Sequence, residues 1–239
     1  MTSDLRITRC AVVPLLLILL AAAALGQQTY VTRFDLFTGY TYLNSPKVGL
    51  AENGFHTQAG VRVWPWVSLG FDYSVSSGDL TLTPDLLLTS LQQSLAAQFA
   101  QLIAAGVIPP SYKLVVPAHS LTQTFAGGPQ FAYRHWKPVT LFIRPSCGLI
   151  HETATPNPAD PIAAGVVKQL APSGQKQDNV IFYGFGGGID LLFSKHFAVR
   201  VQADFVRDHL FNDLLADPRN TVRFSIGPCF NFGKNIVEK

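Results

Sequence analysis

Apolar and polar side chains alternate along eight short segments of this chain. Successive side chains of a β-strand point to opposite faces, so alternation predicts ribbons with one greasy side and one polar side. Segment 67–75 is the simplest case, with Val67, Leu69, Phe71, Tyr73 and Val75 against Ser68, Gly70, Asp72 and Ser74. Segments 33–43, 54–63, 122–134, 139–150, 181–191, 198–207 and 222–232 repeat the pattern. Their lengths are near the roughly 9–11 residues that a tilted membrane strand requires.

The connections between these segments sort by length. Those at 64–66, 135–138 and 192–197 are short, and those near 44–53, 76–121, 151–180 and 208–221 are longer. This regularity predicts an all-β fold, an eight-stranded antiparallel up-and-down transmembrane barrel with tight periplasmic turns and long outer loops. A soluble barrel or sandwich would use the same faces with the directions reversed. The polar face itself separates the two, because Gly39, Gly60, Gly70, Gly128, Gly148, Gly184, Gly186, Gly188 and Gly227 lie on it among charges of both signs. Glycines suit a crowded lumen, whereas a wetted face would carry more Lys and Glu. Tyr30, Trp64, Trp66, Trp136, Phe193 and Phe232 fall near strand ends, as in the aromatic girdles of membrane barrels.

Composition agrees with a surface that faces something other than water. Charged residues are 14% of the chain and hydrophobic ones 48%, against about 25% charged in soluble globular domains. Part of the excess is N-terminal. Arg6 and Arg9 precede the apolar run 10–20, which gives way to small residues including Ala24 and Gly26. This predicts a secretory signal peptide over 1–26 rather than a retained anchor, and a barrel domain over 27–239. The signal takes Asp4, Arg6 and Arg9 with it, so the remaining charge is nearly balanced and argues against nucleic acid as a partner.

The runs 34–43 (FDLFTGYTYL), 127–134 (GGPQFAYR) and 186–190 (GGGID), with the closing segment 223–232, resemble the small outer-membrane β-barrel family. That family includes opacity-type porin-like proteins and the membrane domain of OmpA-type proteins. The likeness spans nearly the whole chain after residue 26. It implies a barrel in the bacterial outer membrane with a largely filled interior, and it supplies no catalytic motif. One departure is the tail 233–239, since family members often finish near the last aromatic of the closing strand. No wall-binding domain of the OmpA type is expected after that strand.

The inward face gathers Arg33, Asp35, Arg62, Asp72, Arg144, Asp190, Arg200, Asp204 and Arg223. An unpaired charge in a low-dielectric lumen is costly, so a network of ion pairs is expected. Closing the barrel is expected to bring Arg33 and Asp35 near Arg223, and to set Asp190, Arg200 and Asp204 on neighbouring strands. Eight strands leave just enough room for side chains, which favours bracing over a charged constriction.

The longest outer connection predicts a helix over about 84–105. Thr83 would cap it, Pro84 would open it, and Leu88, Leu91, Leu95, Phe99, Leu102 and Ile103 would form its apolar stripe. It reads as a lid on the barrel mouth, with a surface for lipid or a partner as the alternative.

The six histidines show no metal-ligand spacing, and no metal or cofactor is expected. Cys147 falls on the apolar face and Cys229 on the polar one, so two free thiols are expected. These readings point to a monomeric barrel without catalytic residues, surrounded by outer-membrane lipid and open to an extracellular ligand or partner at its loops. Its role would be structural or surface-binding. A narrow pore for small solutes is the first alternative. A lipid-modifying barrel enzyme, using His119-Ser120 or Asp208-His209 near the outer strand ends, is the second.

Overall fold

The computed structural model describes residues 28–237, so the signal-peptide reading for 1–26 lies outside the described residues. Eight strands run β1 (Thr32–Ser45), β2 (Leu50–Trp64), β3 (Val67–Leu82), β4 (Val116–Trp136), β5 (Val139–Pro156), β6 (Lys176–Leu192), β7 (Phe197–Asp208) and β8 (Arg219–Asn235). Each pairs antiparallel with its neighbour in sequence, and β1 pairs with β8 to close a barrel. Closure leaves no unpaired strand edge, which is what allows a sheet to stand in hydrocarbon.

The alternation sets which way each face looks. On β3, Ser68, Asp72, Ser74 and Ser76 are buried, while Leu69 and Phe71 are 58% and 57% exposed. On β7, Arg200, Gln202 and Asp204 are buried, while Val201 and Phe205 are exposed. Polar side chains therefore point in and apolar ones out, the reverse of a soluble barrel.

Every strand is longer than its sequence segment, mostly at its loop end. The reason lies on the outer face, which changes from apolar to polar at a common height. That height is marked by Asn44 on β1, Asn53 on β2, Ser77 on β3, Gln123 on β4, His151 on β5, Asn179 on β6, Arg207 on β7 and Asn220 on β8, none of them buried. Tyrosines mark the boundary too, with the Tyr40 hydroxyl bonded to Asn53 and the Tyr42 hydroxyl accepting from Asn44 at 3.1 Å. Below this ring the apolar band has roughly the 9–11 residues per strand that a membrane needs. At the turn end the band finishes in aromatics, with Trp64 stacked on Trp66 at 6.1 Å and Trp66 on Phe131 at 6.3 Å. Beyond the ring the barrel continues as a collar outside the bilayer.

The loops correct two expectations. The connection expected to be long near 44–53 is a tight 3-10 turn, Pro46–Val48, closed by Gly49 at φ 61°. The helix expected over 84–105 begins later, as α1 (Thr89–Ala104). Pro84–Leu86 forms a separate 3-10 turn, because Leu87 is buried and bridges to Leu215 of the β7–β8 loop. Leu88 N donates to Leu214 O at 2.8 Å and Ala216 N to Leu86 O at 3.1 Å, which holds this stretch extended. A second helix, α2 (Pro161–Leu170), lies in the β5–β6 loop that the sequence reading left without structure. Leu95, Leu91 and Phe99 of α1 pack with Ala163 and Val166 of α2 above the barrel mouth.

The direction of the faces is testable on one strand. Phe71→Arg, in the apolar band of β3, is expected to weaken folding into lipid vesicles by about 2–4 kcal/mol. Thr81→Arg, on the same face above the polar ring, is expected to leave it within about 1 kcal/mol. Urea titration of vesicle-inserted protein reads both, and equal costs would place the ring wrongly.

Candidate functional site

The lumen is filled in layers. Nearest the turns, Arg62 Nη1 donates to Thr32 Oγ1 at 2.8 Å and Nη2 to Asn231 Oδ1 at 2.8 Å, with Asp35 at 3.5 Å. Arg200 is wholly buried and makes a fork with Asp190, Nε to Oδ1 at 2.7 Å and Nη2 to Oδ2 at 2.9 Å. It also reaches Asp35 at 3.1 Å and Gln58 at 3.1 Å, and its guanidinium lies 4.8 Å from the Phe142 ring centre. The bidentate pair and the ring face suit the flat, weakly hydrated guanidinium.

One step toward the loops, Arg144 pairs with Asp72, and Arg223 holds Asp204 at 2.9 Å and Ser74 at 3.0 Å. His56 Nδ1 lies 3.0 Å from Ser225 Oγ. Higher still, Arg219 binds Glu152 at 2.6 Å and Asp208 at 3.1 Å, while Glu52 accepts from Ser76 at 2.7 Å and Thr122 at 2.9 Å. Two inward glycines make room for this chemistry. A Cβ on Gly186 would lie 2.0 Å from Asp204 Oδ1, and one on Gly60 would lie 2.4 Å from Asp35 Oδ1.

Eight of the nine sequence-predicted lumen residues are buried: Asp35, Arg62, Asp72, Arg144, Asp190, Arg200, Asp204 and Arg223. Arg33 is not. The β1–β8 register is irregular between Thr32 and Phe34, so Thr32 turns inward to meet Arg62 and Arg33 is exposed. The partners also differ from expectation. Arg223 lies opposite Leu43 and Asp35 opposite Asn231, well apart along the β1–β8 seam. Arg223 therefore takes Asp204, and Asp35 takes Arg200 and Arg62.

Glu52, Glu152, Asp208 and Arg219 were not expected in the lumen, because the sequence segments end short of them. The signal was there, since Glu152 keeps the inward phase of Arg144 and Ile150. Phe37, Phe142 and Phe182 are also buried, so the lumen is not lined by polar groups alone. Alternation splits both histidine dipeptides: His119 and His209 are exposed, while Ser120 and Asp208 are buried. His119 Nδ1 lies 3.1 Å from Asp79 Oδ1 at the exposed rim. Cys147 is exposed, Cys229 is buried, and both are free thiols.

Around the uppermost ionic layer the mouth turns apolar, with Leu43, Ile150 and Val206 at or just below it and Leu50, Leu80 and Leu210 beyond it, in one cluster. Between this floor and the loop cap lies a cavity of about 60 Å³. Phe211, in its wall, holds φ 55°, a left-handed backbone that a bulky side chain adopts only when its surroundings impose it. Here its amide donates to Asp178 Oδ2 at 2.6 Å.

The cap has its own fastening. Asp160 is the N-cap of α2, accepting from Ile162 N and Ala163 N at 2.8 Å each, and Tyr112 donates its hydroxyl to the same carboxylate at 3.0 Å. The bond from the Ala163 amide, followed by those from Tyr112 and Ile162, holds the Asp160 carboxyl below the ordinary aspartate value.

A closed antiparallel barrel with an outward apolar band, aromatic turn end and packed polar lumen is the architecture of a small outer-membrane β-barrel. No family model and no curated protein matches the chain. Similar solved structures include Neisserial surface protein A, at 9% identity over 87% of this chain and 99% of that one, with a TM-score of 0.49. The attachment invasion locus protein Ail of Yersinia pestis is similar at 8% identity over 87% and 99%, with a TM-score of 0.44. The N-terminal β-barrel domain of Pseudomonas aeruginosa OprF is similar at 12% identity over 84% and 98%, with a TM-score of 0.41.

Two outcomes follow from these contacts. Arg200→Ala strands two buried carboxylates and is expected to cost about 3–5 kcal/mol in vesicle unfolding titrations. The Asp160 carboxyl is lowered, so its contribution to the cap is complete above the usual value of 3.8 and is lost as pH falls through its lower value in the folded protein. Hydrogen exchange at the Ile162 and Ala163 amides should therefore stay protected at neutral pH and quicken on acidification below 3.8, relative to strand amides. Unchanged protection there would show that the cap is held by packing alone.

Proposed function

We propose that the protein is a sealed, monomeric barrel of the bacterial outer membrane that holds a folded loop cap at the cell surface for a structural or surface-binding role. The filled lumen carries this reading. Five arginines and their carboxylates cross it in successive layers, and an apolar floor closes it toward the loops. Eight strands enclose little more than the volume of their own inward side chains, and this packing supports a lumen closed to solutes. The outward apolar band supports the membrane setting, since all eight strands carry it and its surroundings must be lipid on every side. The collar and the two helices stand beyond that band, which makes the capped end the part of the molecule that meets the medium.

Single-channel recording of the purified protein in planar bilayers tests the seal. The expected trace is flat, without stable conductance steps. Reproducible steps would establish the narrow-pore alternative in its place.

A further inference from the structure

We propose that the cavity between barrel mouth and loop cap is a binding site for a small apolar molecule, a proposal that rests on reading the capped end as the working end of a sealed barrel. Its wall includes Leu82, Leu87, Leu114, Val166, Phe211 and Leu215. These come from β3, both flanks of α1, α2 and the β7–β8 loop, so separate loops converge to shape one space. Protein interiors rarely leave voids larger than a water molecule, and an apolar void of this kind stays dry and receives apolar guests.

The charged residues at its border define the guest further. Arg219 is fully engaged by Glu152 and Asp208, and the Lys176 amine is taken by Asp213. No unpaired charge among these faces the space, so an anionic or cationic ligand finds no counter-ion there and a neutral hydrocarbon group fits. A volume of about 60 Å³ admits a xenon-sized atom or a short alkyl group as it stands. The strained backbone at Phe211 belongs to the same wall, and strain of that kind gathers where a clamp must hold a set shape. Leu82, Ala154 and Lys176 of the lining lie past the polar ring at Ser77, His151 and Asn179. The site is thus on the medium side of the membrane, and the medium is the source expected for its guest.

The test uses the full barrel in nanodiscs of deuterated lipid, with ¹³C-labelled Leu and Val methyls and xenon as the guest. Methyl shifts at Leu87, Val166 and Leu215 are expected to saturate with xenon pressure, while those of the lipid-facing Leu69 and Val201 drift linearly. Val166→Phe and, from the barrel floor, Ala154→Leu are each expected to abolish the saturating response in protein that still shows heat-modifiable gel migration. Linear drift at the cavity methyls, or saturation that survives both filled variants, overturns the proposal. A second arm in protonated lipid, without xenon, separates the two sources of an apolar guest. Cross-peaks from acyl protons to the cavity methyls assign the site to a lipid chain, and their absence leaves it to solutes of the medium. Channel recording stays independent of both arms: conductance together with saturable xenon binding defeats the sealed reading and spares the cavity, and silence with linear drift does the opposite.

Discussion

Five buried arginines inside a closed barrel set the terms for everything else in this molecule. A guanidinium cannot shed its charge, so each must find carboxylates in a space no wider than the side chains that line it. Arg62, Arg144, Arg200, Arg219 and Arg223 all have acidic partners within 4.0 Å, drawn from strands on different sides of the barrel. Arg200 on β7 reaches Asp190 on β6 and Asp35 on β1, and Arg144 on β5 reaches Asp72 on β3. The Arg200–Asp35 and Arg144–Asp72 pairs cross-tie strands that the backbone ladder does not join directly. Their net worth over an apolar filling is modest, but breaking one leaves a stranded charge, so they fix stagger and packing more than they add stability. The glycines opposite Asp35 and Asp204 belong to the same constraint, since a methyl at either place would occupy the carboxylate's position.

The barrel was legible because alternation is a local property with one free choice, the direction of the faces. On β3 and β7 each inward and outward assignment could be read residue by residue, and glycine among mixed charges decided which side was the lumen. Pairing was less legible. Alternation tells which face Arg223 and Asp35 share but not how far each strand slides along its neighbour, and that slide separates them along the β1–β8 seam. Arg33 was lost to a register irregularity in a single strand, a feature that leaves no mark in hydrophobic periodicity.

Strand ends were misjudged for a different reason. The outward face turns polar at Asn53, Ser77, His151 and Asn179, which looks like the end of a strand when both faces are weighed together. Only the inward phase continues, through Glu52, Ser76, Glu152 and Asp178. A membrane strand that outlasts the membrane has polar residues on both faces, and there the alternation signal vanishes while the hydrogen-bond ladder persists. The upper ionic layer around Arg219 was hidden in that stretch. The α1 boundary shows a tertiary override of local preference. Thr83-Pro84-Asp85 has the residues of a helix start, yet burial of Leu87 against Leu215 draws the chain straight for one more turn. Asp160-Pro161 was an equally readable start, and there nothing competes with it.

The axis of the barrel therefore divides by chemistry. The membrane-embedded lumen is braced by ions, and toward the loops aliphatic packing gathers around and beyond the uppermost ionic layer at Arg219. Such a division is the reverse of what stability alone would select. Charges cost least at the wet end and hydrocarbon packing is cheapest where water is absent, yet the apolar cluster and its void sit at the end nearer the medium. On the proposed reading of a sealed barrel with an apolar guest, the cap, fastened by a few side-chain and backbone bonds at Asp160, Leu87 and Leu88, is the portion to open while the ionic layers beneath it stay paired.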